Sequence, residues 1–277
     1  MKKLAFTLFL LSSIFAFSQE KRKCGTNNRN DYLNKLNPEN IEKQNAFEQK
    51  IQKWIKDNSS AKTSSITIPV VVHIIYKNNT ENISDAQIQS QIDVLNEDFR
   101  RLNQDASNTP LDFMPYAADM QIEFCLAKRY LGVPTNGIVR KQTSLAEFPL
   151  YSDSVFFTNY GGSSAWNTNR YLNIWVCNLS NAGGGQTLGY AYLPGNQSVS
   201  WNAWKDGLVI DYAYFGTIGN AAGSGQNDGR TATHEIGHYL GLNHTFSESN
   251  WPSNNCLDSQ GNTICCDRDG LNVDDTP

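Results

Sequence analysis

This 277-residue sequence has little apolar length, little basic charge, few methionines and few histidines. After Phe17 no stretch approaches the ~20 apolar residues a membrane-crossing helix needs, so no membrane span is expected. Lys+Arg total 23 against 27 Asp+Glu, and the net charge of −4 argues against nucleic acid as the main partner. No internal repeat is present, and Gly183-Gly184-Gly185 lacks the Lys-Ser/Thr of a phosphate-binding loop, so it reads as a turn. Cys24 follows Lys21-Arg22-Lys23 rather than an apolar lipobox, which argues against a lipid anchor. The three methionines, Met1, Met114 and Met120, all lie in the first half of the chain.

What is present starts at the N-terminus. Two lysines, an apolar run from Leu4 to Phe17, and small residues at Ala16 and Ser18 form a secretory signal peptide over residues 1–18. The mature protein is therefore expected to be secreted and extracellular. Residues 19–62 carry a charge of +4 and residues 63–277 a charge of −10. A basic leader joined to an acidic body either docks onto it or stays solvated; both readings stand at this point. In the leader, a polar stretch precedes Asn37-Pro38, which starts a helical pattern with Phe47, Ile51, Trp54 and Ile55 on one face. Asp57 to Ser65 reads as an exposed linker and the natural place for processing.

The body, residues 63–277, opens with the β-branched run Ile66 to Tyr76. Ser84 to Gln87 is a capping box ahead of a helix to about Phe99. Further strands are expected at 121–126, 137–141, 171–177, 188–192 and 208–212. This order indicates an α/β domain on a mixed sheet. Six cysteines in an exported chain point towards disulfides, although Cys125 and Cys177 also suit buried small hydrophobes; Cys256, Cys265 and Cys266 close the set. His73, alone in an apolar strand, reads as a satisfied core residue.

The other three histidines fall within "HEIGHYLGLNH", residues 234–244. Ala232, Ile236 and Leu240 repeat every four residues and should face the core; His234 and His238 repeat likewise on the other side. Two imidazoles one turn apart can hold one metal ion. Gly241 permits the left-handed turn that brings His244 back as a third ligand. Three neutral nitrogens leave a position open for water, the arrangement of a catalytic zinc site, and Glu235 can reach that water as general base. HExxH alone arises by accident in roughly one chain in a hundred of this length, and the added Gly and His lower that by about several hundred.

His234-Glu235-x-x-His238-x-x-Gly241-x-x-His244 is the metzincin signature. The following Thr245-Phe246, the strand from Asp206 to Gly216 and the terminal Val273 to Pro277 resemble the pappalysin group within it. The resemblance implies a metzincin-type zinc peptidase fold, a twisted mixed sheet with backing and active-site helices. It also implies an endopeptidase acting on proteins or peptides, with zinc on His234, His238 and His244 and Glu235 as base and then acid. Leu188, Gly189, Tyr190 and Ala191 would form the cleft's upper edge strand, with Gly189 and Ala191 leaving room for substrate.

Cys24, in a leader that looks like a prosegment, is a candidate zymogen switch in cis. Its thiolate, favoured by Arg22 and Lys23, would take zinc's fourth position; a plain disulfide or free thiol is the alternative. Asp267, Asp269, Asp274 and Asp275 offer hard oxygen ligands for calcium, which members of this family can use, or else form a solvated acidic loop.

The pattern departs from the family downstream of His244. No methionine follows the motif, so the methionine turn and most of the lower C-terminal subdomain are expected to lie beyond Pro277. A non-catalytic exported module that keeps a metal site is the alternative function. Glu235 speaks for the enzyme, since a purely structural site has no use for a base.

Overall fold

The computed structural model describes residues 22–58, 64–180, 186–194, 200–223 and 228–244. The signal peptide, Thr245-Phe246, Cys256, Cys265, Cys266 and the four aspartates of the calcium expectation lie outside them. The leader contributes strand β1 (Arg22–Cys24) and helices α1 (Thr26–Leu36) and α2 (Glu39–Asp57). The body follows with β2 (Ile66–Tyr76), α3 (Asp85–Phe99), β3 (Ile122–Leu126) and a small hairpin, β4 (Arg129–Tyr130) and β5 (Val133–Pro134). Then come β6 (Ile138–Gln142), β7 (Leu172–Cys177), β8 (Gln186–Ala191), β9 (Gly207–Asp211) and α4 (Arg230–Tyr239).

One mixed sheet organises the domain, in the order β1-β8-β9-β7-β2-β3, with β6 continuing the edge of β2 beyond β3. β8 runs antiparallel to β9; the other pairings are parallel. Alternation along β7 divides the core. Ile174 and Val176 pack with Ile88, Ile92, Leu95, Ala232 and Ile236 beneath helices α3 and α4. Trp175 and Cys177 face the other way, against Leu150, Val155, Phe156, Tyr190 and Tyr192. Burial on both faces explains why β2 and β7 read as nearly continuous apolar runs.

Among the described residues no helix is long and apolar enough to cross a membrane. Cys24, Cys125 and Cys177 are free thiols, and Cys177 is buried as a small hydrophobe. His73 is a satisfied core residue. It is fully buried and stacked on Trp175, with Nδ1 2.8 Å from Ser163 Oγ and Nε2 3.1 Å from Asn173 Oδ1.

The polar stretch after Cys24 turns out to be helical. Its buried residues are Thr26, Arg29 and Leu33, a stripe at i, i+3 and i+7 made mostly of polar side chains. A search for apolar periodicity passes over such a stripe. The capping box at Ser84 is also only half realised. Ser84 Oγ accepts from the Gln87 N–H at 3.1 Å, but the Gln87 amide donates to the Tyr212 and Phe215 carbonyls.

Candidate metal centre

α4 is steered into place by polar side chains of α3. Gln91 Nε2 donates to the Gly229 carbonyl at 2.8 Å, and Gln91 Oε1 accepts from the Gly216 N–H at 2.7 Å. Arg230 binds the Asp105 carboxylate with two nitrogens at 2.5 Å each, and the Thr233 hydroxyl donates to Asp98 at 2.7 Å. Ala232 and Ile236 are buried under the sheet, which turns His234 and His238 to the opposite flank. The helix stops at Tyr239, and Gly241, with φ of 102°, supplies the left-handed turn that returns His244.

The three Nε2 atoms stand 3.0 Å (His234 to His238), 3.1 Å (His238 to His244) and 3.2 Å (His234 to His244) apart. His238 Nδ1 donates to the Leu242 carbonyl at 2.7 Å, which leaves the Nε2 lone pair pointing into the ring. Partial desolvation, then the neighbouring His238, lower His234 to about 4, so it is neutral at pH 7. Three converging lone pairs repel one another unless a cation lies between them. Zinc held at ~2.0–2.1 Å by tetrahedrally placed nitrogens separates them by roughly 3.3–3.4 Å, close to the spacing here. The donor set and spacing fit zinc.

Glu235, adjacent to His234, is 1% exposed. Burial pushes its carboxyl up to about 7, against hydrogen bonds from Thr26, Cys24 and the Ala191 N–H. Thr26 Oγ1 donates to Glu235 Oε2 at 2.8 Å and accepts from the Ala191 N–H at 2.9 Å. Asn27 adds a contact, its amide nitrogen 3.2 Å from His244 Nδ1. Neither residue carried a signal in the sequence; both follow Cys24 within a polar run.

Leu188, Gly189, Tyr190 and Ala191 do form the outer strand of the body's sheet, and the leader covers it. β1 pairs in parallel with β8, Lys23 opposite Thr187 and Cys24 opposite Gly189, and the Gly25 N–H donates to the Gly189 carbonyl at 2.8 Å. A Cβ on Gly25 would lie 2.8 Å from a Leu150 methyl and 3.0 Å from a Thr187 methyl, so a larger residue there would have to push those side-chain ends aside. A Cβ at Gly189 would meet Ile210 at 2.7 Å and Glu235 Cγ at 3.2 Å. Its smallness therefore also makes room for Ile210 and Glu235.

This register brings Cys24 to the histidines. Its sulfur and one nitrogen from each of His234, His238 and His244 all lie within 4.8 Å of one another. Burial of the thiol, then the Glu235 carboxylate beside it, push Cys24 well above its usual range.

Residues 159–277 match the family described as "Pregnancy-associated plasma protein-A". Mature mirolysin of Tannerella forsythia in complex with a cleaved peptide is 47% identical, with a TM-score of 0.63 over 76% of this chain and 75% of that one. A promirolysin mutant from the same organism is 50% identical, with a TM-score of 0.64 over 72% and 64% of the two chains. An extracellular metalloprotease of Arthroderma gypseum is 27% identical over 215 residues, 78% of this chain and 56% of the relative. One from Pyricularia oryzae is 28% identical over 221 residues, 79% and 59% of the two. The chain thus spans little more than half the length of these curated relatives. The fold is the mixed α/β metzincin fold of mirolysin, and the chain belongs to the pregnancy-associated plasma protein-A peptidase family.

Proposed function

We propose that this chain is the latent form of a secreted zinc endopeptidase, held inactive by its own leader. The observation that carries the reading is the convergence of Cys24 with His234, His238 and His244, on a leader strand laid along the cleft's edge. The three histidines would hold the ion, and the Cys24 sulfur would be a further ligand in place of water. A protonated Cys24 is the resting state that burial alone dictates, so the thiolate is made by the metal's charge. The N-terminal signal pattern and the extracellular relatives support secretion.

The chemistry follows from the chain's own groups. Zinc, when bound, lowers the pKa of water towards ~7 and polarises a carbonyl. Glu235 is placed to accept the attacking water's proton and pass it to the departing amine. In the latent form Thr26 holds Oε2 of this carboxylate and also caps the Ala191 N–H. Removal of the leader frees the base and the strand edge together. An extended peptide then pairs its backbone with Leu188 to Ala191, in the place of β1.

The test uses the full-length protein freed of its leader, acting on a denatured protein. Hydrolysis is expected, abolished by a zinc chelator and restored by zinc. Glu235→Ala should lower kcat/KM by ~10²- to 10⁴-fold while zinc still binds. Hydrolysis that survives chelation, or that Glu235→Ala leaves unchanged, contradicts the reading.

A further inference from the structure

His238 Nε2 faces the other two histidines while its Nδ1 donates to the Leu242 carbonyl at 2.7 Å. A zinc-bound imidazole calls for such a partner, because an acceptor on the Nδ1–H fixes tautomer and ring and makes Nε2 a better donor. His238 takes that partner from its own segment. For His244 a contact to Nδ1 comes from the leader: the Asn27 amide lies 3.2 Å away, 217 residues earlier in the chain. With Nε2 committed to the metal, His244 Nδ1 carries the proton and must donate it. The two ends of an amide are equal in shape, so a half-turn of the Asn27 amide presents Oδ1 to that proton.

Residues on both sides hold Asn27 at this spot. Before it, Thr26 Oγ1 donates to Glu235 at 2.8 Å and accepts from the Ala191 N–H at 2.9 Å, while the Thr26 N–H donates to the Cys24 sulfur at 3.4 Å. Two residues after it, Arg29 is buried against the body. Its Nε and Nη2 donate to the Tyr192 hydroxyl at 3.1 and 3.0 Å, and Nη1 donates to the Leu150 carbonyl at 3.0 Å. Nη2 also binds the Asp153 carboxylate. A buried cation whose donors are met is costly to displace, so Arg29 fixes the rotation and height of the first turn of α1. Asn27 therefore meets His244 as part of a rigid seat, and both residues are at least half-buried there.

We propose that Asn27 is a positioning residue of the latent metal centre: its side chain accepts the His244 Nδ1 proton, and the leader thereby tightens the hold on zinc until it is removed. This rests on the zinc peptidase reading, which commits Nε2 of all three histidines to the ion. Cys24 and Asn27 then act on the metal from two sides, one as a ligand and the other through a ligand. Excluding water and retaining the metal become two tasks of residues 24–27.

Zinc affinity tests this role without turnover. Metal-free proform, as the full chain, is titrated with zinc against a chromophoric chelator, in the parent, Asn27→Ala and Asn27→Asp. Asn27→Ala should weaken zinc binding by ~10-fold or more, the usual cost of losing an outer partner of a metal ligand. Aspartate keeps the accepting oxygen and cannot donate, so Asn27→Asp should bind zinc at least as tightly as the parent. A displaced leader would weaken both variants alike, so this rescue separates positioning from packing. In proton NMR of the zinc-loaded proform, the His244 Nδ1–H resonance should move upfield in Asn27→Ala and return in Asn27→Asp. Equal zinc affinity of the parent and Asn27→Ala contradicts the proposal, and so does an Asn27→Asp loss as large as that of Asn27→Ala. The same comparison in the Cys24→Ala proform keeps the amide apart from the sulfur: the Asn27 effect should survive there, and its disappearance contradicts the proposal. A parent that binds no zinc overturns the zinc reading itself. Zinc binding without hydrolysis by the leader-free protein contradicts the peptidase reading alone, since the titration needs no chemistry.

Discussion

Helices α1 and α2 of the leader adjoin in sequence and differ in what they bury. α2 has the clear apolar face, yet Trp54 and Ile55 on it are 58% and 51% exposed. α1 is poor in apolar residues, yet Thr26 and Arg29 are almost fully buried. Each polar side chain that α1 inserts meets a partner far away in sequence: Glu235 for Thr26, Asp153 and Tyr192 for Arg29. Hydrophobic pattern reveals where a helix could pack, whereas the seating of α1 depends on where its polar groups are satisfied. The helix that packs against the histidine cluster is therefore the one with the weaker amphipathic signal.

Substitutions in the two helices and the preceding strand should separate these roles. Cys24→Ala in the proform should have the largest effect. Structural zinc binding is worth ~10–16 kcal/mol over four ligands, so losing one ligand should raise proform activity by ~10²-fold or more. A proform as inactive as the parent would remove Cys24 from the mechanism. Thr26→Val should come next. It removes hydrogen bonds to a carboxylate and to the edge strand, worth about 2 kcal/mol, and should make the proform ~30-fold leakier. Serine at this position should restore most of the latency, as read by initial rates before any cleavage of the leader. Trp54→Ala on α2 should change least, within about 0.5 kcal/mol in thermal melting and less than ~2-fold in latency. A large loss of latency from Trp54→Ala would erase the contrast between the helices.

The sequence made the metal ligands legible because helical geometry and one glycine fix them locally. His234, Glu235 and His238 need only 3.6 residues per turn, and Gly241 needs only its left-handed φ. The central strands were legible for a similar reason, since burial on both faces demands continuous runs such as Ile66 to Tyr76. Leu188 to Ala191 took its position as the edge strand from family likeness rather than from spacing. Thr26, Asn27 and Arg29 were not legible, because their partners lie 121 to 217 residues further on. Gln87 and Gln91 were hidden in the same way, as polar residues on a helix face that would ordinarily be read as solvated. The packing of Gly189 on Glu235 was hidden too, since only the packed structure brings the strand against α4.

Direct sulfur ligation in the latent protein is the central claim, and zinc K-edge X-ray absorption on the zinc-loaded proform measures it. One sulfur at ~2.3 Å and three nitrogens at ~2.0–2.1 Å are expected. The sulfur should disappear in Cys24→Ala and after removal of the leader. A first coordination sphere of nitrogen and oxygen alone in the intact proform would contradict the claim.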